Sequence, residues 1–434
     1  MRLELIKNKF FVILFLFPLT YIFGIAIVES FILLFLLFLG VNYKSISLPD
    51  RKILLLFLLF SLFVGANAFL QITDNLKYSS IFHFRYVLFS IAVFYFFEKY
   101  FNTKLDKKVS IYLFFGPILL LIFDSIFQFF VGENIFGQKL YGYRVSSFFG
   151  EDLILGSFLI RLLPIIFWYL FYLKVDLNKN QNYLTSFFSL YFITIYLSGG
   201  RTSFALLICL IFLSFIFIFN LRKLLIRSSI ILSIFIICTG IFNFGKIDIT
   251  SRMFLKTYKQ VFIIKNIQEE KIKEEEKIKE NENNFLSILK SVNIFSNDHQ
   301  GHIILSKKLF MEKPIFGSGP KGFRHYCRSV NYSPKVGICS THPHNILAQT
   351  FSELGLIGLM FYLLFFVFLI KNLFLIKNKN YKDNVSNGFL IISIGILIHL
   401  LPFLPSGNFF NNWISSFIYF KIGLLFFSYK KLFS

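Results

Sequence analysis

The chain has 434 residues, of which 56% are hydrophobic, 20% are aromatic and only 16% are charged. Repeated apolar runs of membrane-spanning length exclude a soluble globular domain and indicate membrane helices. The formal net charge of +22 is not gathered into a patch for nucleic acid. The Lys and Arg residues lie mostly in short loops between apolar runs, as in cytoplasmic loops, so we expect a lipid bilayer and no nucleic acid as partner.

A helix that crosses the hydrocarbon core of a bilayer needs about 20 residues, and by this measure the apolar runs predict about twelve spans. The run over residues 10–41 is too long for one helix, so we divide it near Glu29 and Ser30. No small-residue cleavage site follows it, so we expect no cleaved signal peptide. The other spans are predicted at residues 53–71, 82–98, 110–131, 152–173, 183–198, 203–220, 228–245, 351–370, 387–404 and 412–428.

The positive residues predict one orientation for these spans. The loops that are rich in Lys and Arg fall on one side, which should be cytoplasmic and hold both termini. The opposite side carries a long loop between spans nine and ten. We therefore expect an all-α integral membrane protein with three parts. These are an N-terminal membrane domain (residues 1–245, about nine spans), a large and mainly helical outer loop (246–350) and a C-terminal membrane domain (351–434, about three spans).

The outer loop has two halves of different composition. Residues 267–284 contain the run KIKEEEKIKENEN, whose Glu and Lys residues four positions apart favour a solvated helix or spacer. The second half holds Cys327 and Cys339 in one polar stretch. We predict a disulfide between them if the loop faces an oxidising compartment.

The segment Thr341-His342-Pro343-His344-Asn345 precedes the tenth predicted span. Pro343 suits a first helical position and Thr341 or His342 suits the cap, which places His344 beside free N–H groups at a helix start, a favourable place for an anion. His344 is therefore a candidate general base, and the alternative is a capping or packing histidine. On a helix, His342 and His344 would point about 200° apart, so we expect no metal site.

Two arginines on the outer face are candidates for binding a phosphate group. Arg201 ends the tight connection Ser198-Gly199-Gly200-Arg201, on the side where positive charge is normally avoided. A guanidinium there can reach the headgroup level or hold a phosphate through two hydrogen bonds, so a ligand role and a structural role both stay open. Arg144, in YGYRVSSFFG, is a second arginine of the outer face.

Two further patterns predict structural rather than chemical roles. Gly317, Gly319 and Gly322, in FGSGPKGF, do not have the spacing of a phosphate-binding loop, so we expect a turn that packs the outer loop on the membrane domain. Asp124 and Arg161 lie inside adjacent predicted spans, and we expect them to form a buried ion pair.

One motif resembles a known family. His344-Asn345, followed after nine residues by Gly355-Leu-Ile-Gly358, is similar to the signature of bacterial O-antigen ligases and polymerases, in which it closes a large periplasmic loop. The preceding GHIILSKKLFMEKPIFGSGPKGF resembles that family's helix, Pro and Gly-x-Gly approach to the motif, and SGGRTSF resembles its Ser-Gly-x-Arg junction. The layout of spans agrees, although the specific motifs occupy a small part of the chain.

The resemblance implies transfer of a glycan from an undecaprenyl-diphosphate carrier to an acceptor hydroxyl, with no metal and no other cofactor. His344 resembles the base that activates the acceptor, and Arg201 resembles a binder of the carrier diphosphate, a leaving group that needs cations. Many members carry a second arginine in the loop, where this chain has His302. The second positive charge is expected from one of four residues, His302, Arg252, Arg324 or Arg328. The predicted substrate-binding residues are Arg144, Arg252, His302, Arg324, His342 and Asn345.

The resemblance further implies the bacterial cytoplasmic (inner) membrane, with both termini cytoplasmic and the active site on the periplasmic face. The favoured activity is an O-antigen ligase, whose acceptor is the lipid A core. The alternative is a polymerase that extends a growing glycan. A transporter or flippase for a polar lipid predicts interrupted helices and ionisable groups near the bilayer midplane, and an envelope scaffold has no need of His344.

Overall fold

The computed structural model describes residues 15–71, 78–100, 107–142, 144–242, 244–255, 258, 297–329, 339–379, 383–402 and 404–433. The predicted solvated helix over residues 267–284 lies outside these ranges. Within them the chain is all-helical, with 78% helix and no strand. Two isolated antiparallel bridges, Glu133 with Lys139 and Tyr141 with Arg144, shape the segment after the fourth helix.

The α-helices of the described residues are numbered here in chain order. They are α1 (Ile25–Val41), α2 (Arg51–Leu70), α3 (Phe84–Tyr100), α4 (Lys107–Val131), α5 (Leu155–Tyr172), α6 (Gln181–Leu197), α7 (Arg201–Phe217), α8 (Arg222–Phe242), α9 (Asn297–Glu312), α10 (Gly322–Arg328), α11 (Ile346–Gln349), α12 (Gly355–Asn378), α13 (Asn384–Leu397) and α14 (Asn412–Phe433). A π-helical turn, Thr350–Leu354, joins α11 to α12.

Several of these helices have membrane character. Six helical segments are long and apolar enough to cross a bilayer, namely Arg51–Leu70, Ser80–Tyr100, Ile111–Val131, Leu155–Tyr172, Phe219–Phe242 and Ile346–Asn378. The shorter apolar helices are Ile25–Val41, Arg201–Phe217 and Asn384–Leu397. The chain is thus an all-helical protein whose apolar helices indicate a membrane protein. The number of twelve spans and the orientation stay predictions.

The first apolar run breaks earlier than predicted. A 3₁₀-helix, Phe17–Phe23, ends at Gly24, which has a φ of +96°, and α1 begins directly afterwards. Glu29 and Ser30 lie inside α1, where Glu29 pairs with Arg85 at 3.0 Å. The predicted division at Glu29 and Ser30 is therefore wrong. Polar residues such as Glu29 and Ser30 can stay inside a helix when their side chains have hydrogen-bond partners. The positive φ at Gly24, in contrast, interrupts the helical backbone.

Helices α3, α5, α13 and α14 form the interior of the bundle. α13 approaches α5 at Gly395, where a methyl group would lie 2.4 Å from the ring of Pro164. α14 approaches α3 at Gly423, where a methyl group would lie 2.7 Å from the backbone oxygen of Ser90. Small residues at helix contacts let backbones approach closely, as in membrane proteins. Helices α1, α2 and α8 instead expose apolar side chains outward, as lipid-facing helices do.

The described part of the outer loop has a small core of its own. Leu305 and Leu309 of α9 pack against Phe323 and Cys327 of α10. The structure joins Cys327 to Cys339 by a disulfide, as the sequence predicts. Since Cys339 lies shortly before the Thr341–Asn345 segment, this bond ties that segment to α10.

The glycine-rich turn packs the outer loop on the start of α12, as the glycine pattern predicts. The N–H groups of Ser318 and Gly319 donate to the backbone oxygens of Ser352 (2.8 Å) and Glu353 (2.9 Å). Gly317 has a φ of +71°, and a methyl group there would lie 2.5 Å from the backbone of Glu353. A methyl group on Gly355 would likewise lie 2.5 Å from the oxygen of Ile315. The two backbone segments therefore come so close at Gly317 and Gly355 that only glycine fits there.

Candidate functional site

A cavity of about 480 Å³ lies between the ends of the membrane-type helices and the described part of the outer loop, which is called the outer segment below. Its ionisable lining residues are Arg144, Arg161, Arg201, Arg252, His299, His342, His344 and His399. Among the residues that the structure describes, no Asp or Glu lines this cavity. Because four guanidinium groups share one concave space without a carboxylate, the cavity favours an anionic ligand.

The segment that carries His344 is not the helix start that the sequence suggests. Asn345 is the N-cap, and its side chain accepts a hydrogen bond from the N–H of Ala348 at 3.0 Å. The helix begins at Ile346, so the prediction of Pro343 as the first helical residue is wrong. His344 precedes the cap with a φ of +56°, in the left-handed region. Asparagine is among the best N-cap residues, which explains why the helix begins after it.

The imidazole rings come together because this segment is bent rather than helical. The ring centroids of His342 and His344 are 4.0 Å apart, which contradicts the expected divergence of about 200°. The ring of His302 lies 5.4 Å from His344, and the ring of His299 lies 5.5 Å from it. Over the described ranges, no group of three or more His, Cys, Asp or Glu side chains is arranged to hold a metal ion.

Hydrogen bonds fix the two histidines of the motif. His342 lies with Nε2 3.2 Å from the backbone oxygen of Ser406, to which it donates, and with Nδ1 3.1 Å from the hydroxyl of Thr341. Nε2 of His344 shares a hydrogen bond of 2.8 Å with the hydroxyl of Ser340. The backbone oxygen of His344 accepts from the N–H of Ser406 at 2.8 Å. The connection between α13 and α14 therefore holds both histidines in place.

The environment keeps these imidazoles neutral. Burial lowers the pKa of His344 to about 3, and the neighbouring imidazoles of His342, His299 and His302 add to the effect. Burial likewise lowers the pKa of His342 to about 4, although its hydrogen bond to the backbone of Ser406 opposes the shift. Neutral imidazole is the form that accepts a proton, so His344 is in the state that a general base needs.

Two of the arginines hold the glycine turn that leads into α7. Nε of Arg144 donates to the backbone oxygen of Ser198 at 2.9 Å, and Nε of Arg252 donates to that of Gly199 at 3.1 Å. Gly199 has a φ of +63°, and a methyl group there would lie 3.1 Å from both arginine side chains. Arg201 follows as the first residue of α7, with Gly200 as its N-cap, and it is exposed.

Positive charge is concentrated at this turn. Burial lowers the pKa of Arg144 to about 10, and the charge of Arg252 contributes. The pKa of Arg252 is also lowered, first by burial and then by the charge of Arg201. Arg144 and Arg252 nevertheless stay protonated near neutral pH. Their mutual repulsion is relieved when an anion enters the cavity.

The structure brings together some of the predicted site residues and separates others. The predicted residues that line the cavity are His344, Arg201, Arg144, Arg252 and His342. His302 is only 3% exposed and stands behind His344 rather than at the cavity surface. Arg324 lies outside the lining, although its charge helps to lower the pKa of His342. Asn345 also lies outside the lining, where it caps α11 and donates to the backbone oxygen of Pro402 at 2.6 Å.

The predicted ion pair between Asp124 and Arg161 is wrong. Asp124 accepts hydrogen bonds from the N–H of Ile135 at 2.8 Å and from the hydroxyl of Ser147, so it fixes the segment after α4. Arg161 donates from Nη1 to the backbone oxygen of Ser157 at 2.9 Å. Its guanidinium faces the cavity instead of the carboxylate.

The polar lining residues to which sequence reasoning gave no site role include Arg161, His299, His399 and Ser406. A charged residue inside a predicted span is a signal for function. For Arg161 the expected ion pair with Asp124 gave this signal a structural explanation instead. The two histidines and the serine stand in no recognisable pattern, so only the fold reveals them.

The fold and the cavity together define a class, an all-helical protein with membrane-type helices and a cationic, imidazole-bearing cavity at one end. No protein-family model matches the sequence, and no curated protein matches it.

Proposed function

We propose that the chain is a membrane glycosyltransferase of the O-antigen ligase and polymerase type. It moves a glycan from an undecaprenyl-diphosphate carrier to an acceptor hydroxyl. The observation that supports this proposal best is that Arg201 and His344 line the same cavity, in which the described residues supply no carboxylate. A diphosphate and a hydroxyl nucleophile are the groups that such a combination suits.

The proposed reaction uses each kind of side chain for one task. Arg201 binds the diphosphate, while Arg144 and Arg252 hold the turn that positions it. His344 takes the proton of the acceptor hydroxyl, whose oxygen bonds to the anomeric carbon of the glycan. The bond between that carbon and the diphosphate oxygen breaks, and the electron pair leaves with the carrier diphosphate. The arginines stabilise the developing charge, so the leaving group needs no proton from an acid.

Donor binding should also strengthen the base. With a pKa of about 3, His344 is a weak base in the empty cavity. A nearby diphosphate favours the imidazolium form and therefore raises the pKa toward the value at which proton transfer is efficient. Proton abstraction is thus coupled to the presence of the leaving group.

A second, apolar cavity suits the carrier tail. It is lined by aromatic and aliphatic side chains of α2, α12 and α14, including Phe57, Phe361 and Phe365. His399 lines both this cavity and the cationic one. The apolar cavity has a volume of about 80 Å³, so a ligand with an anionic head and a short apolar segment next to it matches the two adjoining spaces.

Two acceptors remain within the proposal. A ligase, with the lipid A core as acceptor, is its first form, and a polymerase that extends a growing glycan is its second. A transporter is the competing class, because the fold also has an interrupted helix at Gly355 and a fully buried Lys421 in α14. These are features that transporters share.

The decisive experiment separates these activities. The gene is deleted from its bacterial host, and surface polysaccharide is resolved on a gel. Loss of all attached chains supports a ligase, a single attached unit supports a polymerase, and accumulation of the donor on the cytoplasmic side supports a flippase and contradicts the transferase. Complementation with His344→Ala or Arg201→Ala should fail although the variants insert normally, and normal chains with either variant would refute its assigned role.

Two further variants sharpen this test. Arg201→Lys should restore activity only in part, since an ammonium lacks the two-pronged contact of a guanidinium. The matched control is Arg222→Ala, at the start of α8 and about 25 Å along α7 from Arg201. This control should support normal chains.

A further inference from the structure

We propose that the cavity contains a buried anion subsite, formed by Arg161, His399 and Ser406, that binds one phosphate of a diphosphate while Arg201 binds the other. The identity of the ligand as a diphosphate rests on the proposed function. The presence of an anion-binding group at this place rests on the geometry alone.

The main observation is an arginine that is almost completely buried and only partly hydrogen-bonded. Arg161 is 6% exposed, and its Nη1 donates to the backbone oxygen and the hydroxyl of Ser157. Its Nε has no hydrogen-bond partner within the described part of the chain. The guanidinium carbon lies 5.4 Å from the centroid of the Trp413 ring, which supports the charge from one side. A buried guanidinium normally uses its N–H groups, so the free Nε indicates a ligand.

A glycine lies beside this guanidinium. Gly407 lines the same cavity, and a methyl group there would lie 2.3 Å from Cδ1 of Ile414 and 3.5 Å from Nη2 of Arg161. No carboxylate among the described residues lines the cavity to neutralise the charge. The guanidinium therefore presents donors and an uncompensated charge to the cavity.

Two other residues of the lining also carry a buried polar atom that lacks a partner. Nε2 of His399 and the hydroxyl oxygen of Ser406 are buried, and neither has a hydrogen-bond partner among the residues that the structure describes. With Nε of Arg161, three residues of the lining, on separate parts of the fold, thus carry an unsatisfied buried polar atom. Buried polar atoms are normally satisfied, so their coincidence in one cavity indicates a common polar ligand.

A diphosphate fits this arrangement better than a single phosphate. One cation, Arg201, is exposed at the cavity and another, Arg161, is buried in its wall. Guanidinium groups and hydroxyls are the usual donors to phosphate oxygens. The volume of about 480 Å³ falls within the roughly 300–1,000 Å³ range of small-molecule sites. In the proposed complex each cation binds one phosphate of the same ligand.

The subsite is connected to the histidines through Ser406. The N–H of Ser406 donates to the backbone oxygen of His344, and its own backbone oxygen accepts from His342. A ligand that binds the Ser406 hydroxyl therefore also fixes the segment that positions His344. Arg161 is thus a binding residue for the leaving group, and Ser406 is additionally a positioning residue for the base.

The test measures binding to the full-length protein in lipid nanodiscs by calorimetry. The probes are farnesyl diphosphate, farnesyl monophosphate and inorganic pyrophosphate. We expect the wild type to prefer the farnesyl diphosphate to the monophosphate, and Arg161→Gln to lose about tenfold in diphosphate affinity with little change for the monophosphate. Arg222→Gln is the control and should bind as the wild type does. Unchanged diphosphate binding by Arg161→Gln, or an equal loss for both farnesyl ligands, would overturn the two-phosphate arrangement.

Ser406→Ala protects the test against misfolding of the arginine variant. The hydroxyl of Ser406 has no partner among the described residues, so its removal should leave the melting temperature unchanged and still weaken diphosphate binding. A melting temperature and an affinity that both stay at wild-type values would refute a role for this hydroxyl.

The subsite and the proposed activity can fail separately. Diphosphate binding that depends on Arg161, without glycan transfer by the reconstituted protein, would overturn the transferase and support the subsite. Glycan transfer with an unchanged kcat/KM in Arg161→Gln would overturn the subsite alone. Equal affinity for pyrophosphate and farnesyl diphosphate would support the subsite and contradict a lipid-linked ligand.

Discussion

We expect His344 to take up a proton when the diphosphate-linked donor binds. This coupling between binding and protonation gives the most specific prediction. In the empty cavity the pKa of His344 is about 3. If a bound diphosphate returns the pKa to the ordinary histidine value of about 6.5, the protonated complex is favoured and binding becomes tighter as the pH falls. The affinity at about pH 5.5 should then be about tenfold higher than at about pH 7.5, a difference of about 1.4 kcal/mol.

The assay is calorimetry of farnesyl diphosphate binding across this pH range, with wild type and His344→Asn compared side by side. Asparagine is the suitable replacement because it tolerates the left-handed φ of +56° while it lacks a titrating group. Titration of the ligand itself contributes equally to both proteins. The difference between the two slopes therefore isolates the proton on His344.

Other groups face the same ring and must be separated from it. The rings of His299, His302 and His342 surround His344, and Arg324 acts on His342. A matching His342→Gln variant should keep most of the slope. Equal slopes in wild type and His344→Asn would refute the coupling, and a slope lost only in His342→Gln would move the proton to that residue.

The pH range itself is limited by folding. The folded-state pKa values of His342 and His344, about 4 and about 3, lie below the ordinary value. The neutral forms are therefore favoured by the fold, and their stabilisation is present above about pH 6.5 and is lost as the pH falls toward these values. The assay accordingly stays above about pH 5.5, and a melting curve at each pH checks that the protein remains folded.

Three further changes test the framework of the site. Asn345→Ala should destabilise the protein by about 1 kcal/mol through loss of the helix cap, whereas Asn345→Ser should recover most of it; a loss of kcat/KM without a loss of stability would instead indicate substrate contact. Gly317→Ala combines a positive φ with a backbone clash and should undock the glycine turn, seen as faster amide exchange, while Gly137→Ala has a similar φ in open space and serves as the control. Protection equal to that of the control would contradict the clash. Replacing Cys327 and Cys339 by Ser removes a disulfide between residues 12 apart and should lower the stability of the outer segment by about 3 kcal/mol. The loss should be measured as faster proteolysis. An unchanged cleavage rate would show that the core of α9 and α10 is enough to stabilise the segment.

The sequence predicts those features that depend on local pattern. The glycine spacing in FGSGPKGF predicts the packed turn, because the positive φ and the close backbone contact at Gly317 favour glycine. Arg144 and Arg201 stand out since positive charge is unusual on the face that is predicted to be the outer one, and both line the cavity. The apolar runs likewise place the helices, with boundaries that shift by a few residues.

Features that depend on the relative rotation of helices could not be predicted in this way. Asp124 and Arg161 occupy consecutive helices, α4 and α5, but Asp124 accepts hydrogen bonds from the segment that follows α4. The start of α11 was placed too early because Pro343 and Asn345 are both good initiation residues, and tertiary contacts decide between them. His399 carries no local signal, since its position depends on how α13 ends against α5 and α14.

The carboxylate of Glu353 has a consequence for how the outer segment moves. It is fully buried and accepts hydrogen bonds from the N–H of Phe323 at 3.3 Å and from the side-chain amide of Gln349 at 2.8 Å. The side-chain amide of Gln349 also donates to Asn408. Glu353 is thus linked to α10 directly and, through Gln349, to the connection between α13 and α14. Partial separation of any part would leave a buried acid unsatisfied, which is costly. The segment should therefore seat or detach as one cooperative unit, without stable half-open states.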